Sequence, residues 1–354
     1  MPIPALHPKA KWLTKAMEHG DSPRTLYRRV ARRRPLTVAE MPAIARLYRA
    51  AHRPRRRVAK RLIGKPARWL FNLAYHGLKL EGAGTLDMDG VGPLAFNGRN
   101  TQFCGLYMPQ YAAGYEPETS ALIDALMPDG GVFYDVGANF GYYSLFVGGR
   151  AGFTGQVHAF EPMAATFADL ESLIVQAGLG ERATCHKVAI SDTAGEAEMS
   201  IGDGLHSGIA RLGAGAGEKV PLVMLDGLDL EPPALINLDV EDHEAQALRS
   251  ADKILAEHRP FVVLESWREA HRPDHTLEPL RELTRRDYVL FQPAWRVESG
   301  GTAWIGETPP EGATATLALV PLVPEQRFLL GVQINLLACP RDRLADLAGI
   351  FADD

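Results

Sequence analysis

The chain has 354 residues, 46% of them hydrophobic, enough for a sizeable core and too many for one small domain. No stretch reaches the roughly 18 continuous apolar residues that a membrane helix needs, and the N-terminus lacks the pattern of a signal peptide. Cys104, Cys185 and Cys339 are odd in number and far apart, which argues against a disulfide framework or a cysteine metal knot and fits a reducing cytoplasm.

Charge is divided unevenly along the chain. Residues 1–70 hold 19 Lys+Arg against only Glu18, Asp21 and Glu40, a net of +16, so the remainder is strongly acidic. Basic clusters at Arg28-Arg29, Arg32-Arg33-Arg34 and Arg53 to Arg57 are interleaved with Leu26, Tyr27, Val30, Leu36, Ile44, Leu47 and Tyr48. Broken by Pro23, Pro35, Pro42, Pro54 and Pro66, the pattern predicts two or three short amphipathic helices over residues 1–75. Such a region either docks on the acidic remainder or meets an anionic partner, a phospholipid surface or an acidic glycan. Localisation in the cytoplasm, peripheral at the inner membrane face, follows as an expectation. Nucleic acid is disfavoured because the aromatics are too few for a stacking platform.

Residues 76–113 alternate in short segments punctuated by glycine and predict a small β-rich lead-in. From 114 to 354, strands and helices alternate. A helix over Glu116–Met127 leads to a strand at Val132–Tyr134. Ala164–Ala177 is a second helix, Thr184–Ile190 a strand, and Gly195–Ile201 part of a hairpin. Leu235–Val240, Phe261–Leu264, Tyr288–Phe291 and Val332–Leu337 complete the strands, with helices from about His243 and over Leu277–Arg285. This is the pattern of an α/β doubly wound sheet, mostly parallel with an antiparallel last strand and ligands at the strands' carboxyl ends. Residues 299–327, rich in Gly and Pro, are expected to be an irregular loop, a lid or acceptor wall.

The most informative segment is Tyr134-Asp135-Val136-Gly137-Ala138-Asn139-Phe140-Gly141, a buried strand turning through glycine into a helix. Twenty-four positions after Gly137, the run Val157–Phe160 ends in Glu161, placed to accept hydrogen bonds from ribose hydroxyls. The loop lacks the third glycine of a dinucleotide site, and Asp135 would repel a pyrophosphate but suit a cationic amino group. S-adenosylmethionine has an ammonium, a sulfonium and no phosphate.

These residues, with Ala159-Phe160-Glu161-Pro162, Val188-Ala189-Ile190-Ser191-Asp192, Leu225-Asp226-Gly227-Leu228 and Ile236-Asn237-Leu238-Asp239-Val240-Glu241 in that order, resemble the FkbM-type methyltransferases. The resemblance covers about residues 114 to 292. It implies a class I, Rossmann-like fold and S-adenosylmethionine-dependent O-methylation, commonly of sugar or natural-product hydroxyls. The family's Asp-Val-Glu-Gly-x-Glu stands here as Asp239-Val240-Glu241-Asp242-His243-Glu244, and Asp242 in the glycine's place is expected to alter the turn beside the acceptor.

Cofactor binding is expected at Asp135, Gly137, Ala138, Asn139 and Glu161, with Val188 and Ala189 bordering the adenine. A sugar hydroxyl is a poor nucleophile, so a base or a metal is expected beside it. Asp239 is the first choice, followed by Glu241 and His243 in the next turn, with His206-Ser207 as a further base candidate. The crowded carboxylates could instead hold Mg²⁺, completed by Glu265, but spacing alone gives no firm ligand set and the metal-free base is preferred. Two alternatives stand beside this reading. One is an RNA or other nucleic-acid methyltransferase gripping phosphate through the basic N-terminus, although Asn237-Leu238-Asp239-Val240 is not the Asn-Pro-Pro-Tyr of amino-group methylation. The other is a catalytically silent S-adenosylmethionine-binding module.

Overall fold

A computed structural model describes residues 23–31, 36–40, 64–73, 83–88, 90–97, 115–200, 211–212 and 217–352. Its centre is a sheet of β5 (Val132–Val136), β6 (Gln156–Phe160), β7 (Ala183–His186), β12 (Leu235–Leu238), β13 (Phe261–Trp267), β14 (Tyr288–Ser299) and β17 (Gln333–Pro340). The order is β7-β6-β5-β12-β13-β17-β14, parallel from β7 to β13, with β17 antiparallel to both of its neighbours. This is the Rossmann-like, doubly wound order expected, antiparallel last strand included. It reverses direction of build between β5 and β12, where open α/β sheets take their ligands.

Helices cover both faces. On one face lie α2 (Pro117–Leu126), α3 (Tyr142–Gly148), α4 (Ala164–Gln176) and α7 (Leu344–Ile350), whose Leu122, Leu145, Leu170 and Leu347 are fully buried with Phe133, Val263 and Phe291. On the other, α5 (Glu244–Arg249) and α6 (Pro273–Arg285) bury Leu248 and Leu280 against Tyr134, Ile236 and Val262. Both strand faces are therefore dry, which accounts for the near-continuous apolar runs of the central strands.

Two expectations are corrected. Residues 299–327 are not an irregular loop: they hold β15 (Thr302–Gly306) and β16 (Thr314–Leu322), and β16 pairs with β14 over Thr316–Leu322. From Leu317 to Leu322 every residue is buried while glycines stay at the ends of the strands, an apolar run that the Gly/Pro count obscures. Within the basic region, β1 (Leu26–Ala31) and β2 (Leu36–Glu40) are strands where amphipathic helices were expected. Residues Leu26, Arg28 and Val30 turn inward and Tyr27, Arg29 and Ala31 outward, as β1 adds antiparallel to β16 at the edge of the main sheet.

The expected β-rich lead-in exists as β3 (Ala83–Met88) and β4 (Val91–Asn97), joined by β2 in a three-stranded sheet. It clamps onto α4, where the Gln176 amide exchanges hydrogen bonds with the backbone of Ala95. Thr184–Ile190 divides: β8 (Ala189–Ile190) leaves the main sheet to pair with β11 (Glu218–Val223) in a second sheet that also holds β9 (Gly195–Ser200) and β10 (Arg211–Leu212). In the basic segment, only α1 (Lys65–Asn72) is helical among the described residues. No helix among the described residues is long and apolar enough to cross a membrane, and Cys185 and Cys339 are free thiols.

Candidate active site

The turn after β5 is held shut by the strands beside it. Gly137 and Ala138 both donate to the Phe160 carbonyl at 3.0 Å, and Asp239 donates to the Val136 carbonyl at 2.9 Å. Gly137 has φ +83°, and a Cβ built on it would lie 1.7 Å from the Asp239 carbonyl oxygen. The glycine is thus needed so that the ends of β5 and β12 can touch.

Glu161 links the ends of β5 and β6. Its Oε2 accepts from the Asn139 amide (3.1 Å) and its Oε1 from the Met163 amide (2.9 Å). Burial pushes its pKa up to about 7, against the two backbone donors, which lower it. A carboxylate oxygen has two lone pairs, so each oxygen keeps one for a further donor. Asn139, at φ +53°, turns its own Oδ1 to the Phe140 amide at 2.8 Å. Val188 is half-buried and Ala189 buried just beyond the end of β7, on the Glu161 side of the cleft.

Asp135 does not face the cleft. At 1% exposure, its Oδ2 accepts from the Ser144 hydroxyl (2.6 Å) and its Oδ1 from the Asn237 amide (3.0 Å), with its pKa raised by burial. It braces the turn from beneath, tying β5 to β12 and α3. The expectation that it meets a ligand's ammonium directly is corrected on that ground.

Beyond Gly137, carboxylates converge. One oxygen each of Asp239, Glu241 and Glu265 lie within 4.8 Å of one another. Burial raises the Asp239 pKa well above the usual carboxylate range, and Glu265, Glu241 and Glu116 raise it further. Glu265 is fixed by Trp267, whose indole N–H donates to Oε2 at 2.7 Å, and by the Gln333 amide on Oε1. Glu116, in the left-handed conformation ahead of α2, accepts from the Tyr143 hydroxyl (2.6 Å) and the Asn335 amide (2.8 Å), and burial with nearby Glu265 and Glu118 brings it to about 7. Glu244, in the first turn of α5, is pushed to about 7 by burial and by Glu265 and Asp242.

The turn that carries these groups is strained. Glu241 and Asp242 have φ of +46° and +69° in succession. Asp242 takes the left-handed conformation that a glycine would take, which the short acidic side chain tolerates, so a tight turn is kept. Its Oδ2 accepts from Arg272 at 3.4 Å. His243 points elsewhere: its Nε2 sits 3.0 Å from the Ser191 hydroxyl, near the Arg249–Asp192 pair, and burial lowers its pKa. Engaged with Ser191, the His243 imidazole belongs to the β8 side, not to the carboxylates. His206 and Ser207 lie outside the described residues.

Sequence reasoning missed Glu116, Asn335, Gln333 and Trp267. Glu116 reads as a helix start ahead of Pro117, and only the antiparallel β17 brings Asn335 and Gln333 to it and to Glu265. Their one signal is amides within the otherwise apolar run Ile334–Cys339 and its flank.

Residues 135–290 match the family model of the methyltransferase FkbM domain. A solved FkbM methyltransferase of Methylobacillus flagellatus is 19% identical, with a TM-score of 0.38 over 62% of this chain and 52% of its own. An S-adenosylmethionine-dependent O-methyltransferase of Thermotoga maritima is 16% identical, at 0.33 over 58% and 65%. The Bacillus subtilis tRNA methyltransferase is 12% identical, at 0.31 over 58% and 66%. This chain spans about half the length of the Methylobacillus protein. No curated protein is significantly similar to it.

Proposed function

We propose, from the premise that residues 135–290 belong to the FkbM methyltransferase domain family, that the protein moves a methyl group from S-adenosylmethionine to a hydroxyl of a sugar or glycosylated acceptor. The carrying observation is the contact between the Gly137 turn and the Asp239 carbonyl, which sets a nucleoside-type loop directly beside a carboxylate cluster.

The residues fit the cofactor. Glu161 retains acceptor capacity for both ribose hydroxyls, and a donor arriving there favours its ionised form. Asn139 and Ala138 line the turn toward the methionine end, and Val188 and Ala189 border the adenine. S-adenosylmethionine supplies a methyl group on a positively charged sulfur, open to in-line displacement. The chain's task is to align the acceptor and remove its proton. Asp239, with its raised pKa, suits that: its carboxylate would take the hydroxyl proton while the bound cofactor supplied the methyl group. Glu241 and Glu265 hold the acceptor beside it. A hydroxyl is a weak nucleophile that gains most from a carboxylate taking its proton, which supports an oxygen acceptor.

The test is glycan mass spectrometry in a deletion strain. An O-methylated sugar should disappear, return with the parent gene, and not return with Asp239→Asn, whose turnover should fall by roughly 10²–10⁴-fold. A methylated nucleobase lost instead would overturn the reading.

The basic segment suggests a surface partner. Residues 41–80 contain 11 Lys+Arg and no acid. Within them α1 exposes Trp69 and Leu70 next to Arg68, and Leu73 just after it is exposed too, an apolar and cationic combination suited to an anionic lipid surface. The protein should sediment with phosphatidylglycerol vesicles and be released by salt. Equal sedimentation with neutral phosphatidylcholine, or none with either, contradicts this.

A further inference from the structure

We infer that Trp267 is a stacking platform for a pyranose ring of the acceptor, with Gln333 and Asn335 beside it as a polar rim for the ring's hydroxyls. The inference rests on the function proposed above and names the residues that select a sugar.

The pattern of the strands places these groups together. On β13, Phe261 and Val263 belong to the core beneath α2, and on β17 Leu337 and Cys339 belong to the same core. Side chains alternate along a strand, so Glu265 and Trp267 on β13, and Asn335 and Gln333 on β17, continue that one face beyond the core. They are direct cross-strand neighbours, Glu265 opposite Asn335 and Trp267 opposite Gln333. Glu116, ahead of α2, meets the same patch through the Asn335 amide at 2.8 Å. The face thus changes at the carboxyl end of the sheet from a dry core to a tryptophan framed by amides and carboxylates.

Trp267 is held in a defined posture. Its indole N–H donates to Glu265 Oε2 at 2.7 Å, which satisfies the one polar group of the side chain. It is half-buried, whereas the six residues of β13 before it are buried. Among the described residues, no other aromatic ring and no guanidinium stacks on it. What it offers a newcomer is therefore apolar ring with a negative π face. A pyranose matches that surface: its axial C–H groups make one apolar, slightly positive face, and its hydroxyls project around the edge.

The rim suits those hydroxyls. Glu265 Oε1 accepts from the Gln333 amide and Oε2 from Trp267, so each oxygen keeps a lone pair for a hydroxyl donor. An oxygen of Asp239 lies within 4.8 Å of one of Glu265, so a ring stacked on Trp267 turns its edge toward the proposed base. A nucleobase also stacks on indole, but a nucleotide brings phosphate. Beside Trp267 stand the carboxylates of Glu265, Asp239 and Glu116, which repel phosphate and accept a neutral polyol.

The test is saturation-transfer difference NMR on the full chain loaded with S-adenosylhomocysteine. The probes are methyl glucoside, galactoside, mannoside and rhamnoside, all pyranosides, with adenosine and cytidine 5′-monophosphates as the competing class. At least one glycoside should receive saturation mainly at the ring C–H groups of one face. Its affinity should fall roughly fivefold or more in Trp267→Leu, the low end of the cost of removing a stacking aromatic, and recover in Trp267→Phe. Calorimetric affinity for S-adenosylhomocysteine should stay within about twofold in both variants, a split that general unfolding does not give. If Trp267→Leu fails to fold, the exposed Gln333→Ala replaces it, with weaker glycoside binding expected. Glycoside binding that survives these substitutions unchanged overturns the platform and leaves the sugar reading standing. A parent that binds S-adenosylhomocysteine but no glycoside, or that prefers a nucleotide, defeats the sugar reading itself.

Discussion

Glu116 shows how a single side chain can be central and yet unreadable. In the chain it is an ordinary helix-start acid. In the fold, Tyr143 and Asn335 hold it, and burial with Glu265 nearby brings it to about 7. Below about pH 4.5 folded and unfolded chains both carry its proton. Between about 4.5 and 7 only the folded chain does, so raising the pH through that window costs stability. The stability of the parent relative to Glu116→Gln should therefore fall by roughly 1–3 kcal/mol between pH 4.5 and 7.5. Denaturant melts at several pH values check this, and a pH-independent difference would contradict it. Comparison with the variant is needed because His158, His186 and His243, with pKa values lowered by burial, push the dependence the other way below pH 6.5. Gly137 and Glu161 were legible because a turn after a strand and an acid after the next strand are local patterns. Asp135 was legible as important but not in orientation, since nothing in sequence says that Ser144 and Asn237 claim both of its oxygens.

Among the elements, those flanking the glycine turn were read within a residue or two: Pro117–Leu126, Val132–Val136, Ala164–Gln176 and Leu235–Leu238. Each is bounded by punctuation that acts locally, such as Pro117 at the start of α2 and Gly178 after α4. The misreadings lie where neighbours decide. Leu26–Ala31 is a strand because β16 offers it an edge, and β16 was hidden among glycines and prolines. Leu317 in β16 is fully buried between β14 and β1. Leu317→Ala should cost roughly 2–5 kcal/mol of stability, the usual cost of emptying a core leucine site. A thermal melt decides the matter: an unchanged midpoint would restore the lid reading, in which the segment is not part of the core.

Among the described residues of the whole molecule, strand β1 of the basic region joins the main sheet through β16, and the small sheet meets α4 through Ala95 and Gln176. The carboxyl ends of β5 and β12 meet at the point where the strand order reverses, with Glu161 at the end of β6 on one side and the carboxylates toward β13 on the other. The proposed methyl transfer from S-adenosylmethionine to oxygen would divide its work between these sides, nucleoside recognition on one and proton removal on the other. Calorimetric titration with S-adenosylmethionine, parent against Glu161→Ala, addresses that claim most directly. Saturable one-to-one binding is predicted for the parent, weaker by roughly 1.5–3 kcal/mol in the variant, the worth of hydrogen bonds to a charged acceptor. Absence of binding to the parent, or equal affinity in a folded Glu161→Ala protein, would contradict it.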